Sequence, residues 1–184
     1  MALLKSELGL DTTGLIDLLI LVMVTSGVCG FIYELLFYRI DMGRFVKRGS
    51  SYGPWIPIYA WGGLAYTVLV YHFRGNPLLV FVFCVIVSGL LEYVTGWVLY
   101  NVFNTRLWDY NTEIWNFGNI GGFVCLRSVA VFGLAGLMLI YVVIPMLVRI
   151  MGLFDPALVN TVCLILGTVF VVDCLLYQIN KLKK

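Results

Sequence analysis

The stretch PLLVFVFCVIVSGLLEYVTGWVLYNVF, residues 77–103, decides the fold because it is almost entirely apolar and holds a single charged side chain, Glu92. A helix that crosses the ~30 Å hydrocarbon core of a bilayer needs about 20 mostly apolar residues. The stretch exceeds that length, and it therefore predicts a transmembrane helix. Similar apolar runs stand on both sides of it in the chain.

The overall composition excludes an ordinary soluble protein. Of the 184 residues, 61% are hydrophobic and 12% are charged. Soluble domains are about 45–50% apolar and about 25% charged. The net charge of +2 is too small to indicate binding to nucleic acid. The chain is expected to have the lipid bilayer as its surroundings and no nucleic acid as a partner.

Polar residues, prolines and glycines divide the chain into apolar runs of membrane-spanning length. The sequence predicts an all-α integral membrane protein, a bundle of about five transmembrane helices, with residues 1–184 forming a single transmembrane domain. The long fourth run fits either one tilted helix or a short re-entrant piece followed by a span. The predicted spans are Leu15–Ile40, Pro54–Phe73, Pro77–Phe103, Ile120–Ile150 and Pro156–Ile179.

The second span has an unusual start, in which Pro54 and Pro57 stand among tryptophan and tyrosine residues. Proline removes a backbone donor, and in lipid the freed carbonyl needs another partner. An irregular helix start, packed against protein or lining a cavity, is one interpretation. The other is an aromatic belt at the membrane interface, with Pro54 simply starting the helix.

Lysines and arginines near the ends of the predicted spans set the orientation, because such residues concentrate on the cytosolic side. Eight lie on one side of the membrane and three on the other. The bias predicts an outside N-terminus, a cytosolic C-terminus and a multi-pass protein of the cell (plasma) membrane. The eight are Arg39, Arg44, Lys47, Arg48, Arg106, Lys181, Lys183 and Lys184, and the three are Lys5, Arg74 and Arg149.

Charged side chains inside the predicted spans are expensive to insert and usually face a bundle interior or a wet cavity. Glu34, Glu92, Arg127 and Asp173 are predicted at similar depth in the cytosolic half. A buried pair of Arg127 with Glu92 or Glu34 is the simplest expectation. The excess of acids then leaves a carboxylate that is protonated, faces water or binds a cationic ligand. Asp173 alternatively reaches the cytosolic surface.

Aromatic and polar residues extend this charged cluster. At helical spacing, Tyr93 and Trp97 lie next to the face that carries Glu92. The Asn- and aromatic-rich segment 104–119 either folds over the cytosolic mouth of a cavity or forms a plain interfacial loop. The candidate ligand-binding residues are Glu34, Glu92, Arg127, Tyr93, Trp97, Trp55, Tyr59 and Asp109.

Nothing in the sequence predicts a metal site, a cofactor or a catalytic nucleophile. The five cysteines lie inside apolar runs without a CxxC pair, and His72 is the single histidine. Cysteines in such surroundings are usually packing residues. No Walker motif is present, so any ATP hydrolysis would require a partner.

Six blocks of the sequence together carry a family pattern, and they are Gly30–Glu34, Gly43–Gly49, Gly53–Tyr59, Leu91–Trp97, Trp108–Tyr110 and Asn119–Leu126. In order and spacing they resemble the CmpB-like family of putative type IV ABC-transporter proteins. The resemblance covers roughly Gly27 to Pro145 and implies a transport role. The family commonly has arginine where Phe123 stands, which implies that Arg127 substitutes for it one helical turn later.

The leading hypothesis is a non-enzymatic transport or recognition component that binds a cationic or zwitterionic small solute in a charged cavity of the cytosolic half. A homo-oligomer or an ATPase partner would complete it. A second hypothesis is an intramembrane enzyme acting on a lipid headgroup or isoprenoid phosphate, with Glu92 or Asp109 as general base and Arg127 as anchor. A third is a membrane assembly protein whose charges only lock the helices together.

Overall fold

The computed structural model describes residues 2–182, which are helical apart from their connecting segments and contain no β-strand. Lys183 and Lys184, which contribute to the predicted charge bias, lie outside the described residues. The α-helices are α1 (Ala2–Leu8), α2 (Thr12–Asp41), α3 (Pro57–Ala65), α4 (Pro77–Asn101), α5 (Leu126–Met138), α6 (Ile144–Met151) and α7 (Pro156–Leu182).

Four helices are long and apolar enough to cross a membrane. They are α2, α4, α7 and the continuous helix Leu126–Met151, in which a π-helical turn joins α5 to α6. These four confirm the prediction of an all-helical integral membrane protein. The short α1 was not predicted; it ends at Gly9, where φ is +66°.

The second predicted span is a shorter helix than the others. Helix α3 begins at Pro57 and continues through a π-helical turn and a 3₁₀ turn to Phe73. At 1.5 Å per residue, Pro57–Phe73 is about 25 Å long, close to the lower limit for a membrane span. Its role as a fifth span therefore stays a prediction. Residues 47–56 before it have no regular structure, and Pro57 occupies the first turn, where a missing N–H is harmless.

The fourth predicted span begins later than expected, at Leu126 instead of Ile120. Gly121 and Gly122 have φ of +62° and +79°, a left-handed conformation that ends any helix. A turn closed by the Ile120 N–H and the Val124 carbonyl, 2.9 Å apart, takes the place of the first helical turns. Arg127 consequently lies in the first turn of α5 and not within the span, as the predicted start at Ile120 implied.

An apolar core and the contacts between neighbouring helices hold the bundle together. At the end that carries α1, an apolar core includes Leu4, Leu18, Val80 and Ile144, each fully buried. Helix α2 packs on α3 and α7, and α4 packs on α5. Helix α7 is the most exposed of the long helices. Between α2, α3, α4 and α5 the packing leaves a cavity, which borders this core at Tyr66 and Leu139.

Candidate functional site

The cavity has a volume of about 690 Å³, within the range of about 300–1,000 Å³ that is typical of small-molecule sites. Its walls come from α2, α3, α4 and α5, and from the segments that precede α3 and α5. Four of the residues predicted for a ligand site line it: Glu34, Tyr59, Glu92 and Arg127. The sequence-predicted cluster is therefore brought together in part.

Glu34 faces the cavity from α2 and is held by one phenol. The Tyr59 hydroxyl donates to its Oε1 at 2.6 Å. The Tyr59 ring lies directly against Gly30, where a Cβ would overlap it. Glycine at this position of α2 is what allows the ring to reach the carboxylate one turn further along the helix.

Glu92 faces the cavity from α4 and is only 4% exposed. The Ser128 hydroxyl donates to its Oε2 at 2.8 Å, and the Tyr110 hydroxyl donates to its Oε1. Ser128 also forms the capping box that starts α5, because its hydroxyl accepts from the Cys125 N–H. The start of α5 and the orientation of the Glu92 carboxylate are therefore linked through one side chain.

Arg127 pairs with an acid that sequence reasoning did not include. Its Nη2 lies 2.8 Å from Glu113 Oε2, and Arg48 Nη1 lies 3.7 Å from the other oxygen of Glu113. Tyr38 also donates a hydroxyl hydrogen bond to Glu113. The predicted pair of Arg127 with Glu92 or Glu34 is wrong, because Arg127 pairs instead with Glu113, which lies in the loop before α5. Arg127 Nε is buried and has no hydrogen-bond partner.

The segment between α4 and α5 closes one end of the cavity, as one of the two sequence interpretations expected. Leu107, Trp108, Tyr110 and Glu113 all contribute to the lining. The Trp108 indole N–H donates to the Phe123 carbonyl at 2.9 Å, and the Tyr110 N–H donates to the Gly122 carbonyl at 3.0 Å. Burial and the neighbouring Glu92 raise the pKa of Tyr110 well above its usual value, so its hydroxyl remains a donor.

The cavity is thus lined by three acids, Glu34, Glu92 and Glu113, and two arginines, Arg48 and Arg127. The family model described as putative ABC-transporter type IV, CmpB, matches residues 21–177. The chain belongs to this family. The match extends the resemblance seen in the sequence at both ends and includes every charged residue of the cavity.

No curated protein and no solved structure matches the chain. Membership of the CmpB family, together with the four long apolar helices, makes this an integral membrane protein related to ABC transporters.

The remaining predicted site residues of this CmpB-family protein lie outside the cavity lining. Tyr93 and Trp97 are 40% and 47% exposed on the outer side of α4, and the Tyr93 ring packs edge-on against Phe123. The Trp55 indole N–H donates to Asp173 at 2.8 Å, which joins the segment before α3 to α7. Asp173 is therefore a structural partner of Trp55.

Asp109 also lies outside the cavity, and it forms a salt bridge and hydrogen bonds with residues of its own loop. Its carboxylate lies 2.8 Å from Arg106 Nη1 and accepts from the N–H and the side-chain amide of Asn111. Desolvation acts to raise the pKa of Asp109, but the hydrogen bonds from Asn111 and the charge of Arg106 outweigh it and lower that pKa below its usual value.

Sequence reasoning missed four residues of this candidate site. Glu113 and Tyr110 stand outside the predicted spans, Ser128 lies inside the predicted span Ile120–Ile150 but is uncharged, and Arg48 was counted only toward orientation. The available signal was the family block that includes Tyr110. Among the residues that the structure describes, no group of three or more His, Cys, Asp or Glu side chains could hold a metal ion.

Proposed function

We propose that the protein is a membrane component for transport or recognition, and that it binds a cationic or zwitterionic solute in the cavity between α2, α3, α4 and α5. One observation carries the proposal. Glu34 and Glu92 face the cavity with only hydroxyl donors, while both arginines of the cavity are paired with Glu113.

The proposal depends on the imbalance of charge. Three carboxylates and two guanidinium groups line one end of the cavity, and no salt bridge joins Glu34 or Glu92 to a cation in the described part of the chain. A carboxylate held away from water without a cation is destabilising. A ligand ammonium group between the two carboxylates would supply the missing charge. The aromatic rings of Tyr33, Tyr59 and Phe132 surround the same space and favour a cation.

The proposal also specifies the orientation of the protein in the membrane, because the orientation decides from which side a ligand reaches the charged end of the cavity. The charged end of the cavity lies where α2 and α4 end and α5 begins. The excess of basic residues near these helix ends supports a cytosolic location for it. In this arrangement Pro57–Phe73 is the fifth crossing, and the N-terminus lies outside.

A partner is part of the proposal as well. The sequence has no Walker motif, and ABC transporters couple movement of solute to ATP hydrolysis. Energy would therefore come from a separate ATPase, with or without a second copy of this chain. The exposed apolar surface of α7 supports a lateral contact, within the membrane, with a second copy of this chain or with another membrane subunit of the transporter.

The direct test is binding of small cations to the purified full-length protein in detergent. Ethanolamine, choline and glycine betaine serve as probes, and calorimetry and native mass spectrometry measure their binding. We expect at least one probe to bind, and Glu34→Gln and Glu92→Gln each to weaken it at least about tenfold through loss of a charge-assisted contact.

Asp155→Asn is the matched control. Asp155 caps α7 by accepting from the Ala157 and Leu158 N–H groups, and it does not line the cavity. Asparagine caps a helix as well as aspartate does, so this variant removes one negative charge without loss of the cap. If no cation binds, or if the two glutamine variants bind as tightly as Asp155→Asn, the cavity is not a cation site and the assembly role is favoured.

A further inference from the structure

The cavity is long and has different chemistry at its two ends. Along the continuous helix Leu126–Met151, its lining runs on one helical face from Arg127 to Val143, which corresponds to about 24 Å at 1.5 Å per residue. The charged side chains are confined to the end near Arg127. The rest of this face is apolar and consists of Val131, Phe132, Ala135, Met138, Leu139 and Val143.

The apolar part of the cavity reaches the outer surface of the bundle. Trp61 on α3 and Met138 on α5 both line the cavity, and they are 56% and 57% exposed. Side chains that line a cavity and are also more than half exposed lie at its rim. In a bilayer this rim faces lipid chains, so the apolar part is continuous with the hydrocarbon core.

The charged end offers partners for a positively charged group. Glu34 and Glu92 provide carboxylate oxygens without a cationic partner. Arg127, on the same lining, is already engaged by Glu113 and by the Ile114 carbonyl. An ammonium group beside the two carboxylates would therefore supply the charge that they lack.

We infer that the cavity takes an amphipathic lipid whose headgroup carries an amine, with its hydrocarbon chain along the face of the continuous helix Leu126–Met151 between Val131 and Val143. The inference rests on the proposed function and names its ligand class. A small solute would fill only the charged end and leave the apolar length to water, which apolar cavities do not hold well. A chain that enters from the bilayer through the rim fills it.

The test compares three probes on the full-length protein in detergent. Lysophosphatidylethanolamine has the amine, the phosphate and one chain. Lysophosphatidylglycerol has the chain and phosphate without an amine, and phosphoethanolamine has the headgroup without a chain. Native mass spectrometry and calorimetry give stoichiometry and affinity. We expect one lysophosphatidylethanolamine per chain, and binding at least about tenfold weaker for each of the other two probes.

Two kinds of variant separate the headgroup from the chain. Glu34→Gln and Glu92→Gln should reduce the affinity for lysophosphatidylethanolamine to that for lysophosphatidylglycerol. Ala135→Trp should abolish lipid binding, because Ala135 lines the cavity and is exposed, so that the larger side chain extends into the chain site. The matched control is Leu134→Trp, since Leu134 is 59% exposed on the same helix and does not line the cavity.

Each contrary result has a distinct meaning. If phosphoethanolamine binds as tightly as the lysolipid and Ala135→Trp has no effect, the lipid inference is overturned while the proposed cation site stands. If both lysolipids bind equally and the glutamine variants change nothing, the amine recognition is overturned and the bound lipid is unspecific. If neither these probes nor the small cations bind, the proposed function falls with the inference.

Discussion

Replacing Glu113 with glutamine should strongly destabilise the protein. The carboxylate is 5% exposed and lies 2.8 Å from Arg127 and 3.7 Å from Arg48. At an effective dielectric constant of about 20, these distances correspond to gross attractions of about 6 and about 4 kcal/mol. Desolvation of the three groups offsets most of this attraction in the native protein.

The measurable loss of unfolding free energy depends on the charged groups that the substitution leaves without a partner. Glutamine keeps an acceptor for the Tyr38 hydroxyl but leaves two guanidinium groups, 12% and 21% exposed, without a counter-charge. Removing one partner of a buried pair typically destabilises by about 3–5 kcal/mol. Because Arg48 keeps some access to water, we expect a loss near the lower end, about 3 kcal/mol.

Reversible unfolding in mixed micelles, with increasing amounts of a denaturing detergent, gives the free energy of unfolding. Glu113→Gln, Arg127→Met and the double variant form a cycle, and we expect a coupling energy above about 1 kcal/mol because the two side chains touch. Glu7→Gln is the control: its carboxylate pairs with the more exposed Arg74, and such pairs contribute at most about 1 kcal/mol. A loss for Glu113→Gln no larger than that control, or a strictly additive double variant, would refute the reasoning.

Two further predictions test the site's framework. Gly30→Ala should destabilise by about 1–3 kcal/mol and displace Tyr59, because the new Cβ overlaps the ring; Gly62→Ala, in α3 with nothing within 4 Å, should cause no destabilisation in the same measurement, because alanine favours a helix more than glycine does. The lowered pKa of Asp109 means that its contribution to loop stability is present above about pH 4 and is lost as the pH falls through the lower folded value. Hydrogen exchange of the Tyr110 amide, corrected for the intrinsic rate, should show this loss on acidification, and Asp109→Asn should not; equal profiles would contradict the assignment.

The long helices could be predicted from the sequence because a single property, apolar length, determines them. The predicted run Pro77–Phe103 ends within two residues of α4, which the structure gives as Pro77–Asn101. Apolar length alone fails where backbone conformation intervenes. Gly121 and Gly122 are apolar enough to belong to the predicted fourth span, yet their positive φ values exclude a helix and move its start to Leu126.

The site was predictable only for side chains within the spans. Glu34 and Glu92 were identified because a charge inside an apolar run stands out against its neighbours. Glu113 is in a polar connecting segment, where a charge is ordinary and gives no such signal. The pairing of Arg127 with Glu113 depends on how the loop folds back, and helical periodicity contains no information about that.

The position of Glu113 in the loop also underlies the preference for cations that we propose for the cavity. Arg127 in the first turn of α5 and Arg48 before α3 would be within the same cavity as Glu34 and Glu92. Without a third acid, the four charges would balance, and each carboxylate would have a cation available. Glu113 engages both arginines from the loop side, so the carboxylates on α2 and α4 keep only hydroxyl partners from Tyr59, Tyr110 and Ser128. The loop residue thereby leaves the two membrane acids available to a positively charged ligand, and the selectivity of the proposed site rests on a residue that need not contact the ligand.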